Sequence, residues 1–152
     1  MTGSDAVPAG EGARTDPGLV GSWRVITVER TTESGEVVEP FGSDPDGILI
    51  YGADGMTTAV VGASGRPSLD LDLIEARVTA PDADLAEAFR TASGFAVSYE
   101  IDGDVVVHRI LVSTVPNWVG TEQVRPFAID GELLTLRPPG WRLVARRLET
   151  GA

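Results

Sequence analysis

Three consecutive strand-like segments carry the polar side chains best suited to chemistry. Successive side chains of a strand point to opposite faces, so residues of one parity share a face. In residues 104–113 the uncharged face holds His108 and is predicted to point inward, while Arg109 points outward. The same alternation in the two flanking segments brings more polar side chains to one interior. The set is Tyr99, His108, Gln123 and Arg125.

This set could carry out cofactor-free acid–base chemistry on a carbonyl compound. His108 is the only histidine, and at its ordinary pKa of about 6.5 it could move a proton between carbon and oxygen. Arg125, Gln123 or Tyr99 could donate hydrogen bonds to an oxygen on which charge develops. An apolar interior with a few polar groups is typical of a small-molecule site. We therefore predict catalytic roles for His108, Arg125 and Tyr99.

Further side chains are expected to bind the substrate. Trp118 follows a Pro-Asn corner, where it could form a lid or belong to the core. A methionine suits a pocket that adapts to its ligand, although it equally fills gaps in a core. The predicted substrate-binding set is Gln123, Trp118, Tyr51, Met56, Asn117 and Phe127.

Composition limits the function classes. The 152 residues suffice for one domain with a substantial core. A net charge of −11 disfavours nucleic acid and anionic membranes as partners. One histidine and no cysteine argue against a transition-metal site, and without lysine there is no Schiff-base chemistry. We expect no metal and no cofactor. No apolar run approaches the roughly 18 residues of a membrane span, so we expect a cytoplasmic protein.

Strands and tight turns dominate the pattern that must position these residues. Residues 19–31 are predicted to form a strand, and 140–149 the last strand. Hairpins are predicted over 47–62, 95–113 and 121–138. Each hairpin has an Asp-Gly pair at its turn, and glycine tolerates the positive φ that such turns need.

One segment departs from the strand pattern. Residues 79–93 have apolar side chains at helical spacing, with Thr79 as the predicted N-cap and Pro81 in the first turn. Residues 64–78 before it are predicted to be a loop that covers one end of the barrel.

These elements predict an all-β fold. It is a single closed, antiparallel up-and-down β-barrel of about eight or nine strands with one short α-helix. With eight strands, the interior is just wide enough for a small ligand. Residues 1–16 are small, polar and aperiodic, and they are predicted to form a disordered leader. The barrel domain is predicted to span residues 17–150.

Gly21-Ser22-Trp23 opens a series of motifs, over about Leu19 to Leu136, that resemble a bacterial and fungal lipocalin-like domain family. Gly21-Ser22-Trp23 resembles the G-x-W signature of lipocalins. The other blocks, in order, are Pro40-Phe41-Gly42, Pro45-Asp46-Gly47, Tyr51, Gly55-Met56, Tyr99, His108, Pro116-Asn117-Trp118-Val119-Gly120-Thr121-Glu122-Gln123, Arg125 and Phe127. The resemblance implies a β-barrel with a small-molecule cavity. Some lipocalin-like proteins act in natural-product pathways as cofactor-free cyclases or isomerases.

The resemblance also supplies structural interpretations of the same residues. Lipocalin-type barrels often close with an arginine stacked on the tryptophan, here Trp23. Arg147 in the last strand is the better candidate for that position, which leaves Arg125 to line the cavity. His108 could be a buried, hydrogen-bonded core residue, and the two tyrosines could be core residues whose hydroxyls reach a partner at the rim.

Two functions of different classes, and a structural alternative, follow from these residues together with the family resemblance. The first is a cofactor-independent cyclase or isomerase acting on a hydrophobic, carbonyl-bearing natural-product intermediate, such as a polyketide or terpenoid. Arg125 and Gln123 would orient or polarise the substrate, and His108 would be the acid or base. The second is a carrier that binds a hydrophobic small molecule without turnover, and the third is a structural module with a filled barrel. The partner is a hydrophobic small molecule, and the chain is a monomer or a homodimer.

Overall fold

The computed structural model describes residues 18–69 and 72–149. The predicted leader, residues 1–16, lies outside the described residues, and the predicted limits of the barrel domain stay a prediction. Nine strands are formed within the described part. They are β1 (Gly21–Thr31), β2 (Val37–Val38), β3 (Asp46–Tyr51), β4 (Met56–Gly62), β5 (Ala92–Asp102), β6 (Val105–Ser113), β7 (Glu122–Asp130), β8 (Leu133–Leu136) and β9 (Trp141–Arg147).

The strands form one antiparallel sheet that closes on itself. Neighbours follow the order β1-β3-β4-β5-β6-β7-β8-β9, and β9 pairs back with β1. The two-residue strand β2 pairs with the end of β1 and stands outside the eight-stranded barrel. Closure removes the open edges that would otherwise pair with other chains. The predicted up-and-down barrel is confirmed.

The three predicted hairpins are confirmed as β3–β4, β5–β6 and β7–β8. At two of their turns, Gly103 and Gly131 have φ of 65° and 63°. Residues with a side chain rarely adopt this conformation, so the Asp-Gly pairs set the strand ends. The registers of β5, β6 and β7 are the ones that position the candidate site.

Two helices connect β4 to β5. The predicted helix is observed as α2 (Asp82–Arg90). A shorter helix, α1 (Leu73–Thr79), lies in the segment that was predicted to be a loop. Thr79 is therefore the last residue of α1, and the prediction that it caps α2 is wrong, because Pro81 holds that position. Proline forces the preceding residue to be extended, and Ala80 at ψ 153° separates the two helices.

The predicted inward faces of β5, β6 and β7 are confirmed with one exception. Val97 and Ile110 are buried, as alternation requires, but Val112 is 65% exposed. The pairing explains the difference, since Val97 faces Ile110 whereas Ala96 faces Val112. One extra residue in β6, Leu111, forms a β-bulge and reverses the face beyond it.

The barrel has two unlike ends. We call the end at which β1 begins the Trp23 end, and the opposite end the mouth. The apolar core at the Trp23 end includes Leu19, Trp23 and Leu134, each fully buried. Both helices and a 3-10 helix (Pro116–Trp118) connect strands at the mouth. In the part of the chain that the structure describes, no helix is long and apolar enough to span a membrane.

Candidate functional site

A hydrogen bond between Tyr51 and His108 crosses the interior of the barrel. Tyr51 ends β3 and His108 lies in β6, with β4 and β5 between them in the sheet. Tyr51 Oη and His108 Nε2 are 2.7 Å apart, and both side chains are buried. Alternation turns both side chains inward, so the hydrogen bond joins two walls that are not adjacent in the sheet.

Tyr99 packs beside this pair. Its ring centroid lies 4.9 Å from that of Tyr51 at an interplanar angle of 85°, an edge-to-face arrangement that aromatic rings favour. The Tyr99 hydroxyl donates to the backbone carbonyl of Gly52 at 2.7 Å. Tyr99 therefore positions Tyr51, and its predicted catalytic role stays a prediction.

Arg125 is a buried cation on the inward face of β7. Its side chain is 7% exposed, and its Nη2 donates to the amide oxygen of Gln123. The guanidinium carbon lies 5.3 Å from the ring centroid of Phe95, within the range of a cation–π contact. Among the described residues, the ion pairs involve other arginines: Arg24, Arg109 and Arg142.

Three buried polar atoms of the inward faces have no hydrogen-bond partner among the described residues. They are Arg125 Nε, His108 Nδ1 and Thr57 Oγ1. Leaving such a group unsatisfied costs about 1–3 kcal/mol, and more if it is charged. Native proteins contain few such groups. Their concentration here marks the interior as the candidate site.

Burial keeps the Tyr51–His108 pair uncharged. Burial lowers the pKa of His108 well below 6.5, and the positive charge of Arg125 lowers it further. Burial raises the pKa of Tyr51, an effect that Arg125 opposes and Tyr99 strengthens. Burial also lowers the pKa of Arg125, with Tyr51 opposing, but a guanidinium remains protonated in proteins. At neutral pH the site thus holds one positive charge beside a neutral imidazole and a neutral phenol.

The neutral pair has a preferred tautomer. If the Tyr51 hydroxyl donates to His108 Nε2, the imidazole proton is on Nδ1 and only that donor lacks a partner. The reverse arrangement leaves both the Tyr51 hydroxyl hydrogen and the Nδ1 lone pair without partners among the described residues. We assign the first, because it leaves fewer groups unsatisfied. His108 Nδ1–H and Arg125 Nε–H are then two buried donors for which the described part of the chain supplies no acceptor.

Aromatic residues lead from the mouth toward these donors. Phe95 and Trp118 are half-buried, and their ring centroids are 6.3 Å apart. The Phe95 centroid is in turn 6.1 Å from that of His108. Further along β5 the inward side chain of Val97 is fully buried. Solvent access therefore ends close to His108, and two aromatic rings line the approach to it from the mouth.

The structure brings most of the predicted site residues together. Tyr51, Tyr99, His108, Gln123 and Arg125 share one interior through the contacts given above. Their predicted catalytic and substrate-binding roles stay predictions.

The other predicted residues lie elsewhere. Met56 is 40% exposed, and the prediction that it lines the interior is wrong, because β4 turns Thr57 inward instead. Asn117 is exposed in the 3-10 helix. Phe127 is half-buried on the inward face of β7 and packs against the apolar core. The substrate-binding roles of Asn117, Phe127 and the half-buried Trp118 stay predictions.

Two residues of the site were not predicted. Phe95 has the same parity in β5 as Tyr99, so an inward aromatic residue at the start of a strand is the signal that could have identified it. Thr57 lies in Met-Thr-Thr, where neither parity is clearly more apolar. Only the pairing of Thr57 with Tyr51 and Val97 reveals that it faces inward.

Two surface cavities lie beside the loop that follows β4. One, of about 390 Å³, is bordered by Asp46, Val60 and Arg66 among others. The other, of about 180 Å³, lies between the loop and α2. Arg66 donates to the carbonyl of Ala88 and to the Thr91 hydroxyl, so its polar groups hold the loop against α2. Neither cavity borders the unsatisfied donors.

Comparison with solved structures finds similar chains at low sequence identity. A lipocalin-like protein from Bacteroides uniformis is 13% identical with a TM-score of 0.49, over 86% of this chain and 98% of that one. An uncharacterized protein from Bacteroides eggerthii is 12% identical with a TM-score of 0.47, over 86% and 99%. A variant of the fluorescent protein UnaG is 13% identical with a TM-score of 0.36, over 86% and 96%.

Sequence comparison identifies the family. Among curated proteins, none matches this sequence significantly. The family model of the lipocalin-like domain matches residues 20–149, which include all strands of the barrel. The predicted resemblance is therefore confirmed, and the fold is consistent with the binding of a small molecule. The chain belongs to the lipocalin-like domain family.

Proposed function

We propose that this protein binds a hydrophobic small molecule through the mouth of its barrel, with an acceptor oxygen of the ligand held by Arg125 and His108. The observation that carries the proposal is the pair of buried donors, Arg125 Nε–H and His108 Nδ1–H, that have no acceptor among the described residues. A ligand oxygen would satisfy both donors. The apolar approach past Phe95 and Trp118 suits a hydrophobic body attached to that oxygen.

The pKa shifts favour binding over turnover. General acid–base catalysis works best with a pKa near the working pH. Here burial moves the pKa of His108 down and that of Tyr51 up, so both groups hold their neutral forms more firmly. A cyclase or isomerase is the second candidate function. It is favoured by one contact, the 2.7 Å hydrogen bond through which Tyr51 could exchange a proton with His108.

The test compares probes that differ in one oxygen. We expect dodecan-2-one to quench tryptophan fluorescence and to shift the imidazole nitrogen resonances of the single histidine. Dodecane lacks the acceptor and is expected to bind about tenfold more weakly, the value of roughly one good hydrogen bond to a charged group. A Met56→Leu variant is the control, because that side chain lies on the outer face and should leave binding unchanged.

The same samples separate binding from turnover. The binding proposal would fail if dodecane bound as well as the ketone, or if no probe shifted the His108 resonances. For the second function, exchange of the ketone's α-hydrogens in deuterated water should exceed the buffer rate. That acceleration should be absent in a His108→Gln variant. Exchange at the buffer rate with bound ketone would exclude the proton-transfer role.

A further inference from the structure

We infer that the ligand of this site is a carboxylate whose negative charge balances Arg125. The inference rests on the proposed binding function and specifies the chemical class of the head group. A buried cation is costly unless it is paired. Arg125 is 7% exposed and shares a hydrogen bond with a neutral amide, that of Gln123.

No carboxylate of the described residues is available to Arg125. Their Asp and Glu side chains are exposed, apart from the half-buried Glu29, which pairs with Arg142 at 3.2 Å. Other arginines meet their acidic partners at the surface, such as Arg24 with Asp46 and Arg109 with Glu122. The interior cation at position 125 thus differs from these in having no anion of the described residues within ion-pair distance.

The donors around Arg125 also match the two oxygens of a carboxylate. One oxygen can accept from Arg125 Nε–H, and the other from His108 Nδ1–H. The two donors lie on the neighbouring strands β6 and β7. There Val106 pairs with Arg125, and His108 pairs with Gln123. Residues at such diagonal positions are roughly 7–8 Å apart at the backbone, within reach of a bridging group. Phe95 contacts both side chains, which places them on one side of the interior.

A carboxylate suits this environment better than a neutral carbonyl. Hydrogen bonds between ionised partners are shorter and stronger than those of neutral groups. A ketone or an ester could satisfy the donors but would leave the positive charge of Arg125 unbalanced. The alkyl body of such a ligand would extend toward Phe95 and Trp118 at the mouth.

The test uses three probes of equal chain length: dodecanoate, methyl dodecanoate and dodecan-1-ol. Binding is measured by tryptophan fluorescence at about pH 7.5, where a carboxylic acid with a pKa of about 4 is ionised. We expect wild-type protein to bind dodecanoate at least about tenfold more tightly than the ester or the alcohol. In an Arg125→Gln variant the affinities for acid and ester should become equal, because the cation is gone.

Arg109→Gln provides the matched control. It removes the same charge from the adjacent strand β6, but Arg109 is exposed and pairs with Glu122, so it should keep the preference for the acid. If Arg125→Gln fails to fold, two measurements on wild-type protein test the carboxylate assignment. They are the ratio of the affinities for dodecanoate and its methyl ester, and a shift of the His108 Nδ1 resonance when dodecanoate is added.

The outcomes distinguish failure of the carboxylate assignment from failure of the proposed binding function. Equal affinity of wild-type protein for acid and ester would overturn the carboxylate assignment while leaving the binding function in place. A preference for the acid that persists in Arg125→Gln would also overturn it. Failure of dodecan-2-one and all three probes to bind would instead remove the proposed function, and the inference with it.

Discussion

Arg147 and Arg125 both place a guanidinium against an aromatic ring inside the barrel, yet they differ in what their donors contact. The Arg147 guanidinium carbon lies 4.1 Å from the Trp23 ring centroid. Its Nη1 donates to the carbonyl of Val20 at 3.1 Å, and its Nη2 donates to the carbonyl of Gly18. Arg125 lies farther from its ring, that of Phe95, and its Nε has no acceptor among the described residues.

The surroundings of Arg147 explain the Gly-x-Trp motif. A Cβ on Gly21 would lie 2.8 Å from Arg147 Nη1, closer than real Cβ atoms approach other atoms. Gly21 also has φ of 137°, which side chains disfavour. Trp23 Nε1 donates to the carbonyl of Leu19 at 2.9 Å. The motif therefore makes room for the arginine that closes the Trp23 end.

The comparison shows how a half-buried arginine at the Trp23 end and a buried arginine in the interior can be told apart. An arginine that stabilises the fold has acceptors on its own chain. An arginine that holds a ligand keeps donors free in the unliganded protein and carries the cost of an unbalanced charge. Loss of the first should destabilise the protein, and loss of the second should not. The following predictions test that difference.

The largest effect is expected for Arg147→Met. The variant loses a cation–π contact of about 0.5–2 kcal/mol and two hydrogen bonds of about 0.5–1.5 kcal/mol each. We expect the free energy of unfolding to fall by about 2–4 kcal/mol in urea titrations. Arg109→Gln is the control, because its exposed ion pair should contribute about 1 kcal/mol or less. Equal losses in the two variants would show that Arg147 does not hold the barrel closed.

A smaller effect of opposite sign is expected for Arg125→Met. The substitution keeps most of the apolar stem and removes a buried charge that no anion of the described residues balances. We expect the unliganded protein to become about 1–3 kcal/mol more stable. The extra stability that dodecanoate confers on wild-type protein in thermal unfolding should be lost at the same time. A destabilisation as large as that of Arg147→Met would make Arg125 a second structural arginine.

Strand alternation predicted much of this site, because the position of a residue within its strand decides to which face its side chain points. It placed Tyr99, His108 and Arg125 inside, and their burial bears this out. It failed where the local pattern breaks. The bulge at Leu111 turned Val112 outward, and the first residues of β4 gave no clear parity for Met56. A bulge inserts one residue without leaving a periodic signal in the sequence.

The sequence could not show which polar atoms would have hydrogen-bond partners. The contact between Tyr51 and His108 joins residues 57 positions apart, so no local pattern specifies it. The contrast between Arg147 and Arg125 likewise depends on which backbone carbonyls happen to lie within reach. The sequence did favour Arg147 for the stacking position on Trp23, and the 4.1 Å contact confirms that prediction. It held no sign that the Nε of Arg125 would be left unsatisfied.

The smallest effect concerns the pH dependence of stability at His108. The imidazole faces the buried Arg125 and Tyr51 and the half-buried Phe95, with no carboxylate among its described contacts. Its pKa in the folded protein lies well below 6.5, whereas the unfolded chain has the ordinary value of about 6.5. Above that pH His108 is neutral in both states and contributes nothing. Below it the unfolded chain binds a proton that the folded protein does not, so stability falls as the pH drops.

This loss should reach about 1.4 kcal/mol per pH unit at most, until the folded-state pKa is passed. Subtracting the curve of a His108→Gln variant isolates the contribution of His108, because all other groups are common to both proteins. The Hε1 resonance of the single histidine should stay at its neutral position in folded protein at pH values where a free histidine is half protonated. An ordinary titration near 6.5 would mean that water or an anion reaches the imidazole. It would also remove the electrostatic contrast between this site and the closed Trp23 end.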